Sequence, residues 1–261
     1  MRLIVIVVNI IMPEATLRFY AHLNEFLTPS RRQLEFFHRF DGTPAIKDMI
    51  ESLGVPHTEV ALILVNSMTV DFTYNVQSGD RISVYPPFEQ ITLPASLQPD
   101  DLGDCRFVAD VHLGRLAAYL RMLGFDTLFP EDYRDEELAR ISSEENRILL
   151  TRDRGLLKRG NVRYGYFVQG TEPWGQLAEV LKRYDLLGEA MRYQRCTSCN
   201  GLLNMIDKAP IADQLPPKVR EQYDDFRLCD SCGKIYWKGS HYEQMEAFLR
   251  QMGENGSSEA L

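Results

Sequence analysis

Four cysteines near one end of the chain and a set of aspartates in its middle are the residues whose types and spacing could do chemistry. Cys196 and Cys199 form one C-x2-C pair, and Cys229 and Cys232 form a second. Two such pairs make a four-thiolate set that suits tetrahedral zinc. Gly201 and Gly233 stand just beyond the pairs, where a metal knuckle needs a positive φ. The stretch between the pairs is longer than the commonest four-cysteine spacing, so the ribbon they frame carries an insertion. Two disulfides, or redox use of each C-x-x-C, are the competing readings, and a reducing compartment disfavours the first. Four thiolates leave no open coordination position, so this zinc is expected to be structural. Cys105 stands apart and reads as an ordinary thiol.

The acids imply different chemistry. Asp110 follows the apolar run Phe107-Val108-Ala109, and Asp153 lies just beyond Ile148-Leu149-Leu150-Thr151. Asp135 opens a helical stretch with Glu136 and Glu137 in its first turn. In parallel α/β sheets, ligands bind beyond the carboxyl ends of strands. Three carboxylates brought to one such edge repel one another unless a divalent cation neutralises them. Mg2+ or Mn2+ suits hard oxygen ligands and leaves room for waters and a phosphate. Such a cation activates water for attack on a phosphodiester. Each acid also has a structural alternative: Asp135 as a helix N-cap, Asp153 as a turn residue. Asp110 is harder to explain away, because a carboxylate ending a buried strand needs a partner.

The elements that would position these groups can be read along the chain. Residues 105–192 alternate strand and helix: a strand at RFVAD, a helix at LGRLAAYLRMLG, a strand at FDTLF and a helix at DEELARISSEEN. Then come a strand at RILLT, a short helix at RGLLKRG, a strand at YGYFVQ and a last helix at GQLAEVLKRYDL. That rhythm predicts a parallel sheet with helices on both faces. Residues 12–90 read differently, as an α+β unit. LRFYAHL and QLEFFHRF are strands, Thr43 caps a helix at PAIKDMIESL that Gly54 ends, and VALILVN and RISVYPPF are strands. That order fits a β-grasp, the ubiquitin-like fold. A linker over 91–104, the zinc ribbon over 193–250 and a polar, disordered tail over 251–261 complete the division.

A chain of 261 residues is long enough for such a division, and its net charge of −8 argues against general adhesion to nucleic acid or anionic membranes. Any nucleic-acid contact must be local. The first residues, MRLIVIVVNIIMP, are too few to span a bilayer and lack a small-x-small cleavage site. They read as an extra strand or as a stretch before a true start at Met12. A soluble cytoplasmic protein is expected.

The runs VADVHLGRLAAYLRMLGFDT, DEELARISSEENRILLTRDRGLL and RCTSCNG…FRLCDSCGKIYWKGSHYEQM resemble the PIN-like RNase domain named after the C-terminal part of the mutator-type 3′–5′ exonuclease. That family carries a C-terminal zinc ribbon, and its bacterial members often have a ubiquitin-like domain in front, which RFYAHLNEFL and HTEVALILVN…GDRISVYPPF resemble. The likeness extends from Thr16 to Leu249. It implies a metal-dependent nuclease acting on RNA, with the family's acids at Asp110, Asp135 and Asp153 and a fourth at Glu136. Around them, Arg115, Arg152, Arg154 and Lys158 are placed to clamp RNA phosphates, or to form a solvated basic face. Gly114 and Thr151 read as packing positions.

In the ribbon, Tyr236, Trp237, Lys238 and His241 interleave aromatic and basic groups as a stacking surface for single strands would, although Trp237 reads first as ribbon core. The competing function is a non-catalytic module that only holds RNA or a protein. A sulfur-carrier role for the ubiquitin-like unit is excluded because it runs on through Pro86-Pro87-Phe88 rather than ending in Gly-Gly. Instead it is expected to dock RNA or a protein partner, and to be dispensable for the chemistry.

Overall fold

Alternate residues of Glu14–Phe19 (β1) are buried, with Ala15, Leu17 and Phe19 facing the interior, the period-two pattern of a half-buried strand. The computed structural model describes residues 12–87, 97, 105–130, 132–190 and 193–258. Residues 1–11, almost all of the linker and the end of the tail lie outside them. Phe36–Arg39 (β2), Leu62–Val65 (β3), Met68–Val70 (β4) and Arg81–Tyr85 (β5) complete a sheet of order β2-β1-β5-β3-β4. β1 and β5 are parallel and the other pairs antiparallel. The helix Ile46–Ser52 (α1) buries Ile46, Met49 and Ile50. This is the expected β-grasp.

Its details differ from the sequence reading in three places. β1 stops at Phe19, because Ala21 adopts φ +46° and Ala21–Phe26 form a 3-10 turn. Asn24 holds that turn, donating to the carbonyls of Phe19 and Ala21 at 3.0 Å each. Thr43 does not cap α1; Ala45 is the cap residue, and Ile46 N–H donates instead to Tyr74 O at 2.7 Å. β4 is an additional strand, turned out of β3 by Asn66 and Ser67 at φ +50° and +69°. Asn tolerates the left-handed region, but Asn-Ser is a weaker hairpin signal than Asn-Gly.

The second sheet has the order β7-β6-β8-β9, from Phe107–Ala109 (β6), Thr127–Leu128 (β7), Ile148–Thr151 (β8) and Gly165–Phe167 (β9). β6 pairs in parallel with both β7 and β8. Gly114–Met122 (α2) packs with Pro173–Arg183 (α5) and against β7, while Asp135–Glu144 (α3) packs on β6 and β8. The short helix Arg154–Leu157 (α4) follows β8. The third sheet, β10-β11-β12, is antiparallel, from Leu203–Ile206 (β10), Phe226–Cys229 (β11) and Ile235–Trp237 (β12). Pro217–Gln222 (α6) lies in the insertion between the cysteine pairs.

The last helix, Ser240–Ser258 (α7), covers most of the stretch whose composition reads as a disordered tail. Met245 and Leu249 are buried and Met252 half-buried at helical spacing, so the apolar stripe continues past 250.

The described residues form two compact units. One lies within Met1–Leu102 and Asp153–Gly165, the other within Gly103–Arg152 and Tyr166–Leu261. The segment 153–165 therefore groups with the β-grasp, and the ribbon groups with the parallel sheet. No helix among the described residues is long and apolar enough to cross a membrane.

Candidate functional site

β6 is the best-buried strand of the parallel sheet, with Phe107, Val108 and Ala109 wholly enclosed, and the chain leaves it at Asp110. Asp110 N–H still donates to Leu150 O at 3.0 Å, so the carboxylate is fixed where the β6–β8 ladder ends. It is 8% exposed. Its Oδ1 accepts from Val111 N–H at 2.6 Å, and its Oδ2 accepts from the Thr151 hydroxyl at 2.7 Å. An ionised carboxylate offers about four acceptor positions, so two donors leave room for a cation. The donor set fits a hard cation in that respect. Gly114 opens α2 beside this residue, and a Cβ there would meet the Phe129 ring at 2.8 Å, the tight approach its sequence position implied.

Asp135 is the first residue of α3 rather than its cap, which is Arg134. Asp135, Glu136 and Glu137 crowd the first turn, where the helix dipole favours negative charge, and Asp135 and Glu136 are exposed. Asp153, in the other unit, is exposed and caps α4, its Oδ1 accepting from Gly155 N–H at 2.6 Å and Leu156 N–H at 3.4 Å. Among the described residues, only the four cysteines bring three or more ligand atoms within 4.8 Å of one another.

Of the four cations read as phosphate clamps, Arg115 is exposed on α2. Arg152 turns inward to the carbonyls of Val168, Gln169 and Gly170. Within the β-grasp unit, Arg154 donates to Phe26 O at 3.2 Å and Glu25 O at 3.3 Å, and stacks over the Phe26 ring. Lys158 donates to Glu51 O at 2.7 Å, and the His57 ring meets Val162 O at 2.9 Å. Segment 153–165 is thus stitched to the β-grasp through backbone carbonyls.

The cysteines form the other centre. Cys196 and Cys232 sulfurs lie 3.6 Å apart, and those of Cys199 and Cys229 lie 3.4 Å apart. Sulfurs at about 2.3 Å from a tetrahedral zinc stand roughly 3.8 Å from one another, so the quartet fits a metal such as zinc. None of the cysteines is in a disulfide. Burial opposes ionisation of Cys196, yet donation from the Tyr236 hydroxyl and the N–H groups of Cys199 and Ser198 outweighs it and brings the thiol down to about 6. Cys199 is pushed up to about 12 by burial and by its three neighbouring sulfurs. Four thiols this close cannot all ionise unless a cation compensates them. Gly233 supplies positive φ in the second knuckle, at +71°, but Asn200 at +69° does so in the first. Gly201 is needed instead for space, since a Cβ there would meet Ser231 Oγ at 2.5 Å.

The ribbon is bound to the parallel sheet by polar groups that pattern reading missed. Arg121 on α2, 5% exposed, donates to Thr127 O at 2.8 Å and to the knuckle carbonyls Thr197 O and Ser198 O at 3.1 and 3.0 Å. Asn200 accepts from Thr127 N–H and donates to Asp126 Oδ1 at 2.7 Å. Burial raises the Asp126 carboxyl, but donors from Arg147 and Asn200 outweigh it and hold it below the usual range. The available signal was an arginine on the apolar stripe of α2, four residues after Ala117. Trp237 packs against Ile211, Leu215 and Phe226, the ribbon-core position expected of it.

A family model described as the Mut7-C RNAse domain matches residues 105–249, and one described as Mut7-C ubiquitin matches residues 12–92. No curated protein and no solved structure matches the chain.

Proposed function

The chain belongs to the Mut7-C RNAse domain family, and on that premise we propose that it is a metal-dependent ribonuclease hydrolysing phosphodiester bonds. The observation that supports this best is Asp110, a carboxylate held at the end of the central parallel strand with both oxygens oriented by donors and acceptor capacity left over. Asp135 and Asp153, with Glu136 as a fourth acid, would complete the ligands of Mg2+ or Mn2+. When bound, such a cation lowers the pKa of a coordinated water and offsets charge on the attacked phosphate. The chain's own part is to hold Asp110 rigid through Val111 and Thr151, and to meet phosphate through Arg115. Structural zinc at Cys196, Cys199, Cys229 and Cys232 would fix the ribbon on α2. The β-grasp unit would offer a protein partner a docking surface, in the cytoplasm.

A non-catalytic binding module is the second reading, favoured by the placing of Asp135, Glu136 and Glu137 in the first turn of α3, where the helix dipole by itself accounts for acidic residues. Cleavage assays on single-stranded and structured RNA with Mg2+, Mn2+ or EDTA separate the two. Cation-dependent products support the enzyme, and RNA binding without products supports the module.

A further inference from the structure

β7 is an outer strand of the parallel sheet, hydrogen-bonded to β6 and to no further strand among the described residues. Its Thr127 is nevertheless wholly buried, and the backbone N–H and C=O of that residue are both taken by side chains. The N–H donates to Asn200 Oδ1 at 3.1 Å, and the carbonyl accepts from Arg121 Nε at 2.8 Å. Side chains thus take the place of a neighbouring strand, where an open edge would present unpaired groups.

Both side chains are tied to the first cysteine knuckle. Asn200 follows Cys199 in the left-handed region, and its N–H donates to Cys196 O at 2.9 Å. Arg121 Nη1 donates to Thr197 O and Ser198 O, the two carbonyls between Cys196 and Cys199. All four sulfurs lie within 4.8 Å of one another. A bound cation permits that spacing, and without one ionised thiolates repel and spread apart. Spreading withdraws Asn200 and the two carbonyls together, which leaves Thr127 with two buried, unpaired groups.

The consequence extends toward Asp110. Two residues past Thr127, the Phe129 ring lies against Gly114, where a Cβ would meet it at 2.8 Å. Gly114 opens α2, and the N–H of the preceding Leu113 donates to Asp110 O at 2.9 Å. Arg121 stands in the last turn of the same helix. We propose that zinc occupancy switches the outer edge of the parallel sheet. The loaded knuckle closes β7 as a missing strand would, and release of the metal frees β7 and loosens the turn beside Asp110. A ribbon held together for its own sake needs no contact with Thr127, yet two polar arms of the knuckle end on that one residue. Closure of the edge stands without any catalytic assignment, whereas control of cleavage by zinc rests on the ribonuclease reading.

The test is amide exchange, followed by NMR on the isotopically labelled full-length chain, zinc-loaded and after treatment with a chelator. Removing zinc should raise exchange roughly ten-fold or more at Thr127 and Leu113, while β8, on the far side of β6, changes much less. Asn200→Gly suits the left-handed backbone, so it should keep zinc and the knuckle while removing the side-chain acceptor. Zinc-loaded Asn200→Gly should exchange the Thr127 amide roughly ten-fold faster than its parent. Equal rates at Thr127 in those two proteins would overturn the knuckle's role as a substitute strand. Zinc removal that leaves Thr127 and Leu113 unchanged, or that speeds every strand of the sheet alike, would overturn the switch. A chain whose exchange follows zinc but which cuts no RNA in either state keeps the switch and ends the ribonuclease reading.

Discussion

The Thr151 hydroxyl donates to Asp110 Oδ2 at 2.7 Å, joining the ends of two adjacent parallel strands through side chains. Thr151 is wholly buried, so the contact is shielded from solvent. Thr151→Val keeps the shape and removes the donor. It should cost about 1–3 kcal/mol in urea unfolding and lower cleavage, whereas Thr151→Ser should retain both. Equal stability and activity for Thr151→Val would mean that the hydroxyl does not orient the carboxylate.

Arg121 carries the docking of the ribbon. Arg121→Gln deprives the carbonyls of Thr197 and Ser198 of their guanidinium donor beside the first cysteine knuckle. We expect a loss of about 2–3 kcal/mol and faster release of zinc to a chelator. Wild-type zinc retention would show that the knuckle is self-supporting.

Purified protein should hold about one zinc per chain, the stoichiometry of a four-thiolate site. Cys199→Ser should lose it and unfold the β10-β11-β12 sheet. A well-folded preparation without zinc, by metal analysis, would end the structural-zinc assignment.

The linker reading makes the β-grasp unit dispensable, since every proposed acid lies beyond residue 104. The contacts of segment 153–165 argue otherwise. Removing residues before about 101 strips Arg154, Lys158 and Val162 of partners at Phe26, Glu51 and His57. A chain so shortened should show raised hydrogen exchange over 153–165 and reduced cleavage. In the full chain, Arg154→Ala should lower stability more than RNA affinity. Unaltered exchange and turnover in the shortened chain would restore the linker reading.

Elements with strong local signals were legible. The strands and α-helices of 105–183 overlap the stretches that apolar patterning marks, because each buries apolar side chains against its sequence neighbours, whereas the 3-10 turn Val111–Leu113 carries no such signal. Ala21, Asn66 and Asn200 were not legible, since their positive φ values are imposed by turns without glycine. The site divides in the same way. Asp110 could be singled out because a strand-end carboxylate needs partners, but Thr151 as its donor depends on the β6–β8 register. Arg154 and Lys158 looked like phosphate clamps because their charge is visible in sequence, whereas the carbonyls that receive them lie more than 100 residues away.

The central proposal is that Asp110 and Asp153 each serve cation-dependent cleavage of RNA. Asp110→Asn and Asp153→Asn each preserve size while removing the charge that a hard cation requires. Cleavage of single-stranded RNA at saturating Mg2+ should fall by orders of magnitude in both, with circular dichroism and zinc content unchanged and partial recovery of neither at ordinary Mn2+. Wild-type cleavage rates in both variants would contradict the account and leave the chain as an RNA- or protein-binding module.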